Sequence, residues 1–564
     1  MTKAGLSTVQ SVNSAIKSIC DIMRRSNCAG AMQYVPELTW ILFLRILDER
    51  EGQEEMMAEA VGQHYIPSLE APYRWRDWAA PDGVKRVELQ EGAMNAFLPF
   101  VNEDLLPHLK ALRDKPNATA RQKIISEVLS GVEQVRIDTE RNMLDVLDRV
   151  HEIKDESIDP THVFPLSQVY EGLLLRMGEK GNDGGQFFTP REVIRAIIRT
   201  VDPKIGETVY DPACGTGGFL AQAYEHMHHD LGDDATPDQL DILKTQTFYG
   251  REKENLIYPI ALANLVLHDI DQPHIWHGNT LTGNEVYGGL FLTAPPLFDI
   301  VLMNPPFGGK EGKDAQTQFA YKTGATQVLF LQHIIDSLTQ GGRCGIVMDE
   351  GILFRTNEKA FVQTKRKLVE ECKLWCIVSL PPGVFTSAGA GVKTNLLFFS
   401  KGEPTTEIWY YDLSDVKVTK RNPLTSKHFE DFFKRMPKRE ESEKSWTVDL
   451  PQRKKDALKE SAPLRKQAES KSRQADEIKV QLMALAKDKT DDYKALESQE
   501  EELRRDAREL INRAQTIDDA VYDLKAVNPN SIVEEDTRTP EDLLNIIEQK
   551  GREVAEALSA LREL

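Results

Sequence analysis

Two short stretches of the 564-residue chain carry residue types at spacings that could do chemistry. In Asp211-Pro-Ala-Cys-Gly-Thr-Gly-Gly-Phe219, glycines at 215, 217 and 218 follow an apolar run at Thr208 to Tyr210 and precede a helical stretch through Leu220 to His226. Backbone without side chains turns tightly there and lets a ligand approach closely. The spacing is not the dinucleotide fingerprint Gly-x-Gly-x-x-Gly, and the lysine of a phosphate loop is missing, so NAD and ATP are both disfavoured. An aspartate at the end of the run suits a cationic or hydroxyl-bearing ligand and not a pyrophosphate. Glu252 ends the next run, Phe248-Tyr-Gly-Arg-Glu252, where an acidic residue of nucleotide-binding α/β folds accepts hydrogen bonds from a ribose diol. A surface glutamate at a helix start has the same local pattern.

The second stretch is Asn304-Pro-Pro-Phe307, directly after the apolar run Phe298 to Met303. Two prolines fix φ and stop strand or helix from continuing, so Asn304 is held in a rigid loop, its amide oxygen outward and Phe307 alongside. A hydrogen-bond acceptor beside a ring is a site for a planar amine; a plain strand-ending turn is the alternative. Lys310, Lys313 and Lys322 flank this loop in a Gly-rich stretch expected to be mobile, where phosphate contact and a solvated loop are equally open. His226, His228 and His229 lie in a polar helix without a carboxylate or cysteine cluster at ligand spacing, so they read as a solvated face and no metal is expected.

The elements that must position these loops alternate in type. Apolar runs at Thr208 to Tyr210, Thr247 to Tyr249, His274 to Trp276, Phe298 to Met303, Cys344 to Met348, Leu374 to Leu380 and Asn395 to Ser400 are separated by amphipathic stretches. Such alternation predicts an α/β fold, a doubly wound, mostly parallel sheet with ligands beyond the carboxyl ends of its strands. The loop Pro381 to Thr394 has no room for a crossover helix, so the last two runs should form a reversed hairpin at one edge. Residues 1–165 are expected to form a helical domain, as in Thr39-Trp-Ile-Leu-Phe-Leu-Arg-Ile-Leu-Asp48, with residues 166–437 the α/β domain. Residues 438–564 read as charged, coiled-coil-like helices for subunit assembly. There Tyr493, Leu496, Leu503, Ala507, Leu510, Ala514 and Ile517 keep heptad spacing, which demands burial against another helix. The expected partner is a separate subunit, docked between about Asp476 and Ile517.

Composition narrows the class. Lys and Arg total 70 against 89 Asp and Glu, a formal charge of −19, so the whole surface is a poor ligand for phosphate polyanions and any nucleic-acid contact is local or shared. Six scattered cysteines, at 20, 28, 214, 344, 372 and 376, offer neither a disulfide framework nor a zinc site and point to a reducing cytoplasm. No segment has the roughly 20 apolar residues a membrane span needs.

Taken in order, the loop at Asp211 to Phe219 and Asn304-Pro-Pro-Phe307 resemble the cofactor and catalytic loops of S-adenosylmethionine-dependent adenine-N6 DNA methyltransferases. Gly185-Gln-Phe-Phe-Thr-Pro190 is similar to the additional cofactor motif of that family. Gly341 to Phe354, Leu380-Pro-Pro-Gly-Val-Phe385 and Gly391 to Phe399 complete a resemblance that is closest to modification subunits of Type I restriction-modification systems. The resemblance implies a class I, Rossmann-like methyltransferase fold and S-adenosylmethionine as cofactor. It assigns catalysis to Asn304, Pro305, Pro306 and Phe307, and cofactor binding to Gln186, Phe187, Phe188, Thr189, Pro190, Asp211, Pro212, Gly215, Thr216, Gly217, Gly218, Glu252 and Asn279. Asn279 stands where many relatives carry an aspartate. The implied partners are double-stranded DNA, a specificity subunit, a restriction subunit and a second copy of the modification subunit, with the target adenine flipped out of the duplex. Methylation of another planar nitrogen, on a protein glutamine or an RNA guanine, and a non-catalytic scaffold are the alternatives.

Overall fold

The computed structural model describes residues 9–28, 30–92, 94–153, 189–385, 393–419, 422–485, 491–525, 527–530, 544–545 and 547–554. Residues 9–153 are helical and, where described, free of strands. Here α1 (Val9–Arg25), α2 (Ala31–Ala60) and α3 (Glu140–His151) enclose Trp40, Trp75, Trp78 and Phe97, all fully buried. Arg50 of α2 ties this layer to the next by donating to the Val266 carbonyl at 2.7 Å.

Among the described residues ten strands form one sheet: β1 (Val209–Asp211), β2 (Phe248–Glu252), β3 (His274–Asn279), β4 (Asn284–Tyr287), β5 (Phe298–Met303), β6 (Leu338–Asp349), β7 (Cys372–Ser379), β8 (Thr394–Lys401), β9 (Glu407–Asp412) and β10 (Ser445–Asp449). Their spatial order is β10-β9-β7-β8-β6-β5-β1-β2-β3-β4. From β1 the chain winds outward through β2 and β3, then returns to place β5 on the other flank of β1. Both neighbours are parallel to β1, with Val209 opposite Phe248 on one side and Ile300 on the other. That reversal is a topological switch point, and the crevice beyond the strand ends there is where such folds bind ligands. Helices α4 (Arg191–Val201), α5 (Gly218–Leu231), α6 (Tyr258–Leu267) and α7 (Thr326–Ser337) pack around the sheet. Every residue of α6 is buried, because it lies between the sheet and the N-terminal helices.

The expected reversed hairpin forms, with β7 antiparallel to β8 and β8 antiparallel to β6. It does not end the sheet, since β9 pairs parallel with β7 and β10 antiparallel with β9. The last strand thus lies beyond residue 438, where the composition turns charged, because an edge strand tolerates charged flanks.

The C-terminal helices α8 (Leu450–Leu485) and α9 (Asp491–Ala520) form an antiparallel pair. Cross-helix ion pairs fix the direction: Arg465 meets Asp518, Lys471 meets Asp506 at 2.6 Å, and Arg504 meets Asp476 at 3.0 Å. Buried Ser461, Ala468 and Ala475 recur every seven residues on α8, facing Ala507 and Ala514 on α9. Small residues let the backbones approach closely, and the leucines of the stripe flank this seam half-buried. The stripe therefore packs against a helix of the same chain. Periodicity shows that a face must be covered but not what covers it. After α9 the chain returns to the sheet, where Val521, Tyr522 and Leu524 are buried and the Leu524 amide donates to the Leu353 carbonyl at 3.1 Å.

Ala514→Leu overfills this seam. The expected loss is about 1–3 kcal/mol of local stability. Hydrogen exchange should accelerate across α8 and α9 while β1 and β5 stay protected; equal acceleration in the sheet would show that the pair is not a separable unit.

Candidate active site

At the carboxyl end of β1 the chain turns through Gly215 (φ +55°) and Gly217 (φ +81°), left-handed values that favour glycine. Several groups hold this turn. The Cys214 amide donates to the Arg251 carbonyl at 2.9 Å, and the Asn264 amide of α6 donates to the Thr216 carbonyl at 2.9 Å. Gly250 leaves room underneath, where a Cβ would crowd the tip of the Ile275 side chain at 2.8 Å and Cys214 at 3.2 Å. Glu252, at the end of β2, accepts from the Gly215 amide at 2.9 Å through one oxygen and from the Lys253 and Glu254 amides at 2.9 and 2.8 Å through the other. The carboxylate expected to meet a ribose diol thus also braces the glycine loop, with one lone pair of Oε2 left for a ligand.

Asp211 accepts from the Ala213 amide at 3.1 Å and is 1% exposed. Burial pushes its carboxyl up to about 8 and that of Glu252 up to about 7. Two acids whose ionisation is opposed by burial suit positive charge and hydroxyls, which favour their charged form.

At the carboxyl end of β5, Asn304 donates through Nδ2 to Thr189 Oγ1 at 2.9 Å. Its Oδ1 is buried without a hydrogen-bond partner. The Pro305 carbonyl accepts from Gln327 Nε2 at 3.4 Å, and Gln327 Oε1 accepts from the Asp349 amide at 3.2 Å, so one buried amide links the loop after β5 to the end of β6. Phe307 meets Phe385 edge to face, with ring centroids 5.4 Å apart. The segment beyond is pinned where mobility was expected. Lys310 bridges to Ala325, the Glu311 amide donates to the Gly324 carbonyl at 2.8 Å, and Thr326 donates to the Glu311 carboxylate at 2.9 Å.

Both loops open into one cavity of about 360 Å³. Asp211, Pro212, Gly215, Thr216, Gly218 and Glu252 line one end; Thr189, Asn304, Pro306 and Phe307 line the other. Asn279 also lines it, its oxygen already accepting from the Leu281 amide at 3.0 Å, so its nitrogen is the atom left for a ligand. Pro190, Gly217 and Pro305 are not on the wall: Pro190 starts α4, Gly217 makes the turn, and Pro305 sits behind Pro306 with its carbonyl on Gln327. Gln186, Phe187 and Phe188 lie outside the described residues.

A cavity with buried acids at one end and an acceptor beside an aromatic ring at the other has counterparts in known proteins. Residues 162–472 match the family model described as N-6 DNA Methylase, and residues 12–132 match that of the HsdM N-terminal domain. The chain belongs to the N-6 DNA methylase family. The methylase is 37% identical over 407 residues to the Type I restriction enzyme EcoEI methylase subunit of Escherichia coli, covering 71% of this chain and 77% of that relative. It is 31% identical over 429 residues to the EcoKI methylase subunit of E. coli K12, covering 73% and 74%. Among solved structures it resembles a modification subunit of a type I restriction enzyme from Vibrio vulnificus at TM-score 0.68 and 32% identity, over 80% of this chain and 94% of that one. A chain from an assembled type I restriction-modification system matches at TM-score 0.66 and 33% identity, over 98% and 97%. The methylase is a DNA adenine methyltransferase of the type I modification-subunit kind, and its reaction requires a methyl donor.

Sequence reasoning missed three supporting residues of the methylase. Gln327 and Asn264 are amides inside apolar helical stretches, Gln327 sharing its helix with the buried Gln332, and an amide in such a stretch was the available signal. Phe385 ends a motif that was noted without a role. His226 also differs from its reading as a solvated side chain: it bonds Asp202 at 2.9 Å, and Asp202 and Asp230 both bond Lys204, at 2.7 and 2.8 Å. Asp202 is distant in sequence and reaches His226 only through the fold.

Gln327→Leu should leave the part-buried Asp349 amide without its Gln327 partner and the Pro305 carbonyl unsupported. Methyl transfer is expected to slow about tenfold or more, the loss of a buried hydrogen bond costing about 1–3 kcal/mol. Donor affinity measured by calorimetry should stay near the parent value; a variant with unchanged turnover would remove Gln327 from the apparatus.

Proposed function

We propose that the methyl donor is S-adenosylmethionine, held at the Asp211 and Glu252 end of the cavity, and that Asn304 and Pro305 activate the N6 amine of an adenine swung out of duplex DNA. The observation that carries this reading is Asn304 on the cavity wall with its buried Oδ1 left without a hydrogen-bond partner, in a wall that also includes Phe307. The fit to the donor rests on the two buried acids and the left-handed glycine turn, which leaves backbone open to a bulky ligand.

When bound, S-adenosylmethionine supplies a methyl carbon already activated by its sulfonium. What this chain adds is proximity and orientation. An adenine amine is a weak nucleophile because its lone pair is delocalised into the ring. Asn304 Oδ1 would accept one of its hydrogens, drawing the nitrogen toward tetrahedral geometry and freeing the pair for the donor's methyl carbon; for the second hydrogen the motif implies the Pro305 carbonyl, through the lone pair that Gln327 leaves free. The nitrogen would then release one of those protons to solvent, the sulfur keeping the pair of the broken S–C bond as a neutral thioether, so that charge balances. Phe307, backed by Phe385, stacks on the flipped base.

The same reading divides the chain into a helical unit over residues 1–165, a methyltransferase unit from 166 that includes β10, and a helical arm from Leu450 for assembly. The partners proposed are duplex DNA, a specificity subunit that reads the sequence, a second modification subunit and a restriction subunit, in the cytoplasm. A formal charge of −19 supports leaving most DNA contact to a partner. Among the described residues no helix is long and apolar enough to cross a membrane.

Asp211→Ala and Glu252→Ala should each weaken S-adenosylmethionine binding about 10- to 100-fold, the range for a charge-assisted hydrogen bond. The parent's affinity should also depend on pH. With the acids raised to about 8 and 7, a cationic ligand must displace protons, so affinity rises between pH 5.5 and 7 by up to about tenfold per unit for each proton released. For folding the sign is opposite: the neutral acids favour the unliganded fold at low pH, and that contribution fades as pH rises toward 8. Calorimetry showing pH-independent affinity and unaffected mutants would refute the donor site.

Asn304→Ala should cut methylation by about 100-fold or more while donor affinity stays near parental. Phe307→Ala should chiefly weaken retention of the flipped base, by about 1–3 kcal/mol. Normal methylation by Asn304→Ala would exclude the amine-acceptor role.

A further inference from the structure

A carboxamide offers its oxygen to a target amine in only one of its two orientations. Rotated by half a turn, Asn304 would present hydrogens to a group that itself carries hydrogens. In the orientation found here, Oδ1 has no partner and Nδ2 donates to the Thr189 hydroxyl at 2.9 Å. Whenever the oxygen faces an amine, Nδ2 faces away and must find an acceptor in the wall, because it carries two hydrogens and no acceptor capacity. The Thr189 oxygen meets that need. Thr189 also lies just before α4, on a segment separated from Asn304 by 115 residues, so the two meet through the fold and not through the loop.

We propose that Thr189 is a positioning residue for catalysis: by accepting from Nδ2, its hydroxyl anchors the Asn304 carboxamide in the orientation that receives the target amine. This rests on the reading of Asn304 as the amine acceptor, and it gives Thr189 a duty beyond the cofactor-binding one implied by its motif. Replacing the hydroxyl with a methyl leaves the wall-facing end of the carboxamide without a partner in either orientation, so the side chain is no longer held. The variant then loses transfer rate without losing the donor.

The test uses the full chain assembled with its specificity subunit. Thr189→Val should lower the single-turnover rate about 10- to 100-fold at saturating S-adenosylmethionine and DNA, the range for a lost buried hydrogen bond, with donor affinity within twofold of parental. Thr189→Ser keeps the oxygen and should restore most of the rate. A second readout needs no turnover. With S-adenosylhomocysteine bound, affinity is compared for duplexes carrying adenine or purine, which lacks the amine, at the target position. The parent should prefer adenine, and Thr189→Val and Asn304→Ala should both lose that preference. If Asn304→Ala loses rate and preference while Thr189→Val keeps both, the positioning role is overturned and the acceptor role stands. If the Thr189→Val defect lies wholly in donor affinity, Thr189 is a cofactor residue only. If Asn304→Ala itself keeps rate and preference, the acceptor reading falls, and this inference with it.

Discussion

Everything at the site follows from the parallel pairing of β1 with β5. Neighbouring strands lie about 4.8 Å apart, so two loops leaving the same end of adjacent strands must share one space. Tyr210 stands opposite Val301, and the glycine turn and the Asn-Pro-Pro loop each begin within three residues of that pair. No long connection has to carry donor and acceptor together. The pairing exists because the chain winds outward from β1 through β3 and then returns to the opposite flank, burying all three residues of β1 between two covered faces.

Burial makes this arrangement tight and also gives it its chemistry. Asp211 and Glu252 sit where an apolar residue would cost less, and their carboxyls are raised as a result. Glu252 offsets part of that cost by accepting three backbone amides, and the same bonds set the shape of the glycine turn. Binding and folding therefore draw on one group. A buried amide on α7 does similar double duty, joining the Pro305 carbonyl to the Asp349 amide across β5 and β6.

Much of this was legible in the residues themselves. Runs at Thr208 to Tyr210 and Phe298 to Met303 became β1 and β5, and the punctuation after each, glycine in one and proline in the other, marked the loops. The family resemblance agreed with both. What the chain did not disclose was what depends on tertiary placement. The edge strand β4 is largely exposed and has no alternation to read, and Glu407 to Asp412 is one continuous Ile-Trp-Tyr-Tyr run whose neighbours cannot be inferred from its composition. The pinning of the Lys310 segment arises from contacts with Gly324 and Thr326, across a turn that looks merely glycine-rich. The heptad stripe on α9 announced a seam, but its closure by α8 left no comparable signal.

That helical pair is a lever. At 1.5 Å per residue, the 36 residues of α8 make a rod about 54 Å long, stiffened along its length by α9. Its foot is clamped twice: α8 springs directly from β10, and the returning chain seats Leu524 on the carbonyl of Leu353. Leu353 is four residues from Asp349, whose amide shares Gln327 with the Pro305 carbonyl. Each degree of tilt at such a foot sweeps the far tip by about 1 Å. Conversely, a load applied to the tip arrives at the foot as torque, a few bonds from the Pro305 carbonyl.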